Sequence, residues 1–193
     1  MFIELTDHLR CPREHDEAYL VLLPDRVEGR RVVEGMLGCP VCSAEFPIDA
    51  GVVRLGDTPP APPGAPPDAD SLQAFLGLDG PGGYLLLAGT AAASAPALSR
   101  LLPGVHLVAW NPPAGLRESE AVSLVLAAGV PVRARSMRGA VVGDPEAQDP
   151  ELVAEAVATV LPGLRVTGNG PAPTGPECEV LAEAGGWWVG RRK

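Results

Sequence analysis

Four residues among the first 42 restrict this chain more than any others: Cys11, His15, Cys39 and Cys42, in the pattern Cys11-x3-His15-x23-Cys39-x2-Cys42. Three thiols and one imidazole are a complete tetrahedral donor set for zinc. Cys11-Pro12 and Cys39-Pro40 both open on a Cys-Pro step, as a zinc knuckle does. Between and after the pairs lie the short alternating runs Ala18–Leu23, Arg31–Leu37 and Gly51–Leu55. They predict a small antiparallel β unit with turns at Pro24-Asp25 and Glu28-Gly29. So short a unit, with few large apolar groups, buries too little core to hold itself together, and a metal staple supplies what is missing. His15 is the inferred fourth ligand, with Glu14, His8 and Asp16 as weaker candidates. Two other readings of the cysteines stand beside this one: inert buried thiols with His15 at the surface, or a redox pair at Cys39 and Cys42. The redox reading needs a helix to open at the motif, whereas Phe46-Pro47-Ile48-Asp49 reads as extended.

The next boundary is DTPPAPPGAPPDAD, residues 57–70, whose six prolines favour an extended, semi-rigid polyproline spacer. The division expected is therefore a ribbon at 1–56, a linker at 57–71 and a second domain at 72–193. Past the linker the pattern changes. Gly83–Ala88, Val105–Trp110, Gly139–Val142, Leu164–Val166 and Trp187–Val189 read as strands. Ala91–Leu102, Ser119–Ala128 and Glu151–Leu161 read as helices, the last with Asp149 as N-cap and Pro150 at its first position. Alternating strands and helices predict an α/β domain with a largely parallel sheet.

Charge and hydropathy narrow the partners. The net charge is −9, and neither half carries the basic footprint of a nucleic-acid binder. No apolar stretch is long enough for a membrane-spanning helix, and the N-terminus MFIELTDHLR lacks the basic and apolar regions of a secretory signal. A cytoplasmic, reducing location is the expectation, where a Cys-x-x-Cys pair points to metal or redox chemistry before a structural disulfide. There is no GxSxG, P-loop or HExxH pattern. His106 sits in an apolar strand and Cys178 in a late segment, and both read as core residues. Glu118 and Glu120 read as a solvated face.

Residues 35–56 resemble the second half of the zinc ribbon of small methyltransferase-activating subunits, also found at the front of some bacterial methyltransferases. The resemblance rests on Cys39-Pro40-Val41-Cys42 followed by Phe46-Pro47-Ile48-Asp49-Ala50-Gly51-Val52. It departs at Glu14, where a standard first knuckle has cysteine. Residues 72–193 resemble a class I S-adenosylmethionine-dependent methyltransferase, through GGYLLLAGT, VHLVAWNPP, MRGAVVGD, Leu161-Pro162-Gly163-Leu164 and a closing VLAEAGGWWVGRRK. The family pattern implies a Rossmann-like three-layer α/β fold ending in a helix and a strand. It also implies a glycine-rich cofactor loop after the first strand and an acidic ribose acceptor after the second. This chain has Leu87-Ala88-Gly89-Thr90-Ala91-Ala92-Ala93-Ser94 at the first place and Asn111 at the second. If a cofactor site exists, Gly89 and Asn111 are its remaining candidates. The function implied is a non-catalytic zinc-binding accessory or scaffold, with no catalytic residues, without S-adenosylmethionine, and working through an unidentified protein partner. The alternatives are an active methyltransferase with an altered loop, or a small-ligand sensor using the cleft above Gly89 and Asn111.

Overall fold

The structure is a computed structural model that describes all 193 residues. Its strands are β1 (Val21–Glu28), β2 (Arg31–Gly38), β3 (Glu45–Asp49), β4 (Val52–Arg54), β5 (Tyr84–Ala88), β6 (His106–Trp110), β7 (Val122–Leu126), β8 (Gly139–Val142), β9 (Arg165–Gly168), β10 (Cys178–Ala184) and β11 (Trp187–Arg192). Its helices are α1 (Ala69–Leu76), α2 (Ala95–Leu101) and α3 (Pro150–Thr159). All the strands lie in one sheet, in the order β1-β2-β3-β4-β7-β6-β5-β8-β9-β11-β10.

The two ends of this sheet are built on different patterns. In β3, Phe46 and Ile48 are buried while Glu45, Pro47 and Asp49 face solvent, the alternation of a strand with one wet face. In β5, β6, β7 and β8 every residue is buried, as expected of strands covered on both sides. β4, β7, β6, β5, β8 and β9 are mutually parallel. From β5 the chain moves outward through β6 to β7, then returns to β8 and β9 on the other side. The switch point of this Rossmann-like α/β fold therefore lies between β5 and β8, where such sheets hold ligands beyond the carboxyl ends of their strands.

α1 and α2 cover one face, through Leu72, Leu76, Ala95 and Leu98 against Leu85, Leu87, Leu107 and Leu124. The opposite face takes α3, through Val153, Ala156 and Val157, together with Met1, Leu5 and Leu9 of the N-terminal segment. Residues 1–20 lie where further helices would otherwise pack, because no helix joins β6 to β7 or β7 to β8. The same core cluster holds Val32, Leu37, Phe46 and Ile48 beside Tyr84, Leu86, Trp110 and Trp188. The ribbon and the α/β unit thus share a core, and β4 pairs directly with β7.

Several expectations change. Ser119–Ala128 is not helical: β7 runs through it, because Val122-Ser123-Leu124-Val125-Leu126 is buried on both faces and shows no alternation to betray a strand. The closing VLAEAG is strand β10, joined to β11 by Gly185 and Gly186, whose φ values of +61° and +78° make the tight hairpin turn that glycine permits. Pro24-Asp25 is a bulge within β1 instead of a turn, a common use of proline on an edge strand. Glu118 is not simply solvated, since it pairs with Arg31 at 2.7 Å and with the Met1 amino group at 2.7 Å. α1 was not anticipated, although Asp68 caps it through Ser71 N at 2.9 Å. The Asp149 cap of α3 stands as expected, accepting from Glu151 N at 2.9 Å. No helix is long and apolar enough to cross a membrane.

Candidate metal centre and the carboxyl-edge crevice

The four sulfur and nitrogen donors arrive on two tight turns. Cys11 opens the first, a small loop closed by the Arg10–Tyr19 bridge and by Cys11 N to Ala18 O at 3.3 Å. Cys39 follows β2 and opens the second, in which Ser43 N donates to Cys39 O at 3.0 Å and Ser43 adopts φ +57°. The ligand atoms of Cys11, His15, Cys39 and Cys42 all lie within 4.8 Å of one another. Cys11 Sγ is 3.7 Å from Cys42 Sγ, and Cys39 Sγ is 3.4 Å from His15 Nε2. Tetrahedral zinc with bonds of about 2.3 Å to sulfur and about 2.0–2.1 Å to nitrogen sets sulfur pairs about 3.8 Å apart and sulfur–nitrogen pairs about 3.6 Å apart. The two closest edges fit that ion, and this Cys3His cluster could bind zinc.

Its surroundings suit the donors. His15 Nδ1 is 2.6 Å from the Asp16 carbonyl, so a proton on Nδ1 leaves Nε2 as the lone-pair donor facing the thiols. Burial opposes a thiolate at Cys39, but the backbone N–H groups of Cys42 and Val41 outweigh it and bring the thiol down to about 6. Burial pushes Cys11 up to about 12 in the absence of a cation. Of the weaker ligand candidates, His8 packs against Tyr84 with ring centroids 4.3 Å apart and the rings tilted by 49°, Asp16 meets the cluster only through its carbonyl, and Glu14 is exposed. None of the three belongs to the converging group.

The other candidate residues, Gly89 and Asn111, meet at the switch point. Gly89 follows β5 with φ +57° and opens a 3-10 turn, Gly89–Ser94. The loop after β8 closes against it: Thr90 N donates to Asp144 O at 2.8 Å and Gly143 N to Ala88 O at 3.1 Å. A Cβ placed on Gly89 would overlap the Asp144 carbonyl and the Glu146 carboxylate. Asn111 follows β6 in the left-handed region at φ +48°, which asparagine tolerates better than most residues. Its Nδ2 donates to Ala127 O at 2.9 Å and Glu146 Oε1 at 2.8 Å, and its Oδ1 accepts from Ala127 N at 3.0 Å. The side chain thereby extends the β6–β7 ladder by one rung.

Sequence reasoning missed Glu146, which is only 5% exposed. Burial raises its pKa above the usual carboxylate value, against the Asn111 hydrogen bond that favours ionisation. Sequence reasoning also missed what the proline-rich segment does. Leaving β4, Leu55 N donates to Leu126 O at 2.8 Å; then Ala61 N donates to Asn111 O at 3.3 Å, and Ser94 Oγ donates to Pro67 O at 2.6 Å. Residues 57–67 thus cross the carboxyl ends of β7, β6 and β5 as a strap. His106 and Cys178 are core residues: His106 Nε2 meets Ser123 Oγ at 2.9 Å, burial lowers the imidazole to about 4, and Cys178 is buried.

No protein-family model matches the chain, and neither does any curated protein. Among solved structures, a geranyl diphosphate methyltransferase in complex with GPP and sinefungin is 17% identical, over 52% of this chain and 42% of its own, with a TM-score of 0.44. A chain from the Haloferax volcanii complex between the Trm112 methyltransferase activator and a protein described as a methyltransferase is 13% identical, over 52% and 50%, with a TM-score of 0.43. The antibiotic-resistance methyltransferase Kmr is 12% identical, over 65% and 94%, with a TM-score of 0.44. This chain spans half or less of the length of the first two. At these identities the likeness is one of fold alone.

Proposed function

We propose that this protein is a non-catalytic, zinc-stapled accessory or scaffold, with a ribbon built into the same sheet as a methyltransferase-like unit, acting through contact with another protein. The observation that carries this reading is the closed crevice at the switch point. A nucleoside cofactor seated beyond β5 and β6 would have to displace Glu146 from Gly89, break the three hydrogen bonds of Asn111 and lift the strap. Ala91 and Ala92, both fully buried, further remove the open backbone that close ligand approach requires.

The partner would meet the ribbon. Tyr19, Val21, Leu23 and Val41 are 57%, 50%, 58% and 61% exposed, and Val21 lies opposite Gly38, just before Cys39, at the outer edge of the sheet. Pro24 and the bulge behind it interrupt that edge, so strand addition is confined to residues 19–23. An extended apolar segment is the partner this short edge suits.

The second reading, an active S-adenosylmethionine-dependent methyltransferase, is favoured by the preserved switch-point topology and by Gly89 at positive φ. Calorimetry separates the two. With S-adenosylmethionine or S-adenosylhomocysteine the accessory reading expects no binding tighter than millimolar; saturable binding in the micromolar range contradicts it and restores the enzyme.

A further inference from the structure

The strap that closes the crevice has a period. Ten consecutive residues, Thr58–Pro67, include six prolines, and every other residue except Gly64 precedes a proline or lies in the run they confine. A polyproline II helix turns once in three residues, and the structure uses that period. Thr58, Ala61 and Pro67 lie on the sheet side, the Thr58 hydroxyl buried, Ala61 4% exposed and Pro67 O accepting from Ser94 Oγ, while Gly64 is exposed but near the Thr90 methyl. Pro59, Pro60, Pro62, Pro63 and Pro66 face solvent.

The strap's tie to β6 runs through Asn111, and Asn111 is tied in turn to Glu146. Glu146 Oε1 accepts from Asn111 Nδ2, whereas Glu146 Oε2 is buried without any partner. A buried carboxylate with one oxygen lacking a donor is costly, and a neutral carboxyl group is much less so. The Asn111 and backbone hydrogen bonds favour an anion, but burial outweighs them. Asp144, on the same loop, is the nearby charge and is negative. Gly89 and Thr90 after β5, Asn111 after β6, Asn169 after β9 and Ala61 of the strap are all uncharged.

We propose that Glu146, Asn111 and residues 57–67 form a proton-controlled latch. While Glu146 carries its proton, it holds Asn111 in its left-handed turn and Asn111 holds the strap shut; when the proton leaves, the carboxylate swings out, Asn111 loses a partner, and the strap lifts from the edge. The latch rests on the closed crevice and is independent of any accessory role. Its sign follows from burial. The folded protein binds this proton more tightly than the unfolded chain, so the closed state is favoured in full below the ordinary carboxylate value of 4.5 and is lost as pH rises through the raised folded value.

The test is hydrogen exchange at the Ala61 amide, read by NMR on the full zinc-loaded chain from about pH 5 to about pH 9 and corrected for intrinsic base catalysis. In the wild type, protection of Ala61 and of Thr90 falls by about tenfold or more, the equivalent of about 1.4 kcal/mol, while protection of the β8 amides does not change. Glu146→Gln keeps a neutral group in place and abolishes the fall. Asp144→Asn removes the repelling charge and moves the transition to lower pH, which supports the latch even where the glutamine variant folds poorly. Wild-type Ala61 protection that does not change with pH overturns the proposal, as does a fall that persists in Glu146→Gln. Cofactor binding by calorimetry would sink the accessory reading and leave this outcome separate.

Discussion

The cysteine cluster and the switch-point crevice are opposite kinds of site. At the cluster, four donors converge from two turns and lie within 4.8 Å of one another, at separations that suit a zinc ion. At the crevice, most polar groups bond within the protein: Asn111 to Ala127 and Glu146, Thr90 to Asp144, and Ser94 to Pro67, with Glu146 Oε2 left over. A site awaiting a ligand leaves its donors aimed at a shared point. On the accessory reading proposed above, the crevice has turned its polar groups on one another. Topology marks the crevice as the position for a ligand, and its internal hydrogen bonds are what the proposed reading takes to close it.

The largest expected effect breaks the metal side of the comparison. Cys39→Ser should release the metal and abolish the folded ribbon, because structural zinc contributes about 10–16 kcal/mol of apparent binding energy to units of this size. Since β4 pairs with β7 and the core is shared, the loss should also lower the melting temperature of the whole chain in a single transition. Two separate transitions in circular dichroism, with 72–193 unaffected, would show that the linker divides the chain into independent units.

Asn111→Asp should have the next largest effect. Restoring an acid after β6 looks like repair of a cofactor site, but an ionised aspartate cannot donate to Ala127 O or to Glu146. It also places a second acid beside Glu146. A destabilisation of about 2–3 kcal/mol is expected in urea unfolding at neutral pH, shrinking on acidification as the two carboxyl groups share protons. A neutral or stabilising outcome, or the appearance of cofactor binding, would mean that Asn111 is a degraded acceptor and not a structural amide.

Smaller still is the contrast within the first knuckle. His15→Ala should weaken zinc affinity, measured by competition with a chromophoric chelator, whereas Glu14→Ala should leave it within error. The reverse result would assign the fourth ligand to Glu14.

What could be read from the sequence divides along the same line. The four donors stood out because metal ligation depends on residue type and short spacing, both local. The Asp149 cap and the apolar runs of β5 and β6 were legible for the same reason. β7 was not: the stretch Ser119–Ala128 is rich in alanine, leucine and valine, and only its neighbours β4 and β6 decide that it is extended. The β10–β11 hairpin was missed although Gly185-Gly186 marks its turn, because the alanines and glutamates of β10 favour helix. Glu146 gave no local signal, since its role arises from contacts with Gly89 and Asn111 far away in the chain. The proline-rich segment was rightly extended, yet nothing in its composition says which surface it crosses.

Native mass spectrometry of the intact chain, sprayed with excess zinc and S-adenosylhomocysteine, tests both sites in one spectrum. One zinc per chain with its displaced protons, and no nucleoside adduct, is the spectrum expected of a stapled scaffold with a closed crevice. A chain that carries the nucleoside, or that carries no zinc after anaerobic preparation, contradicts it.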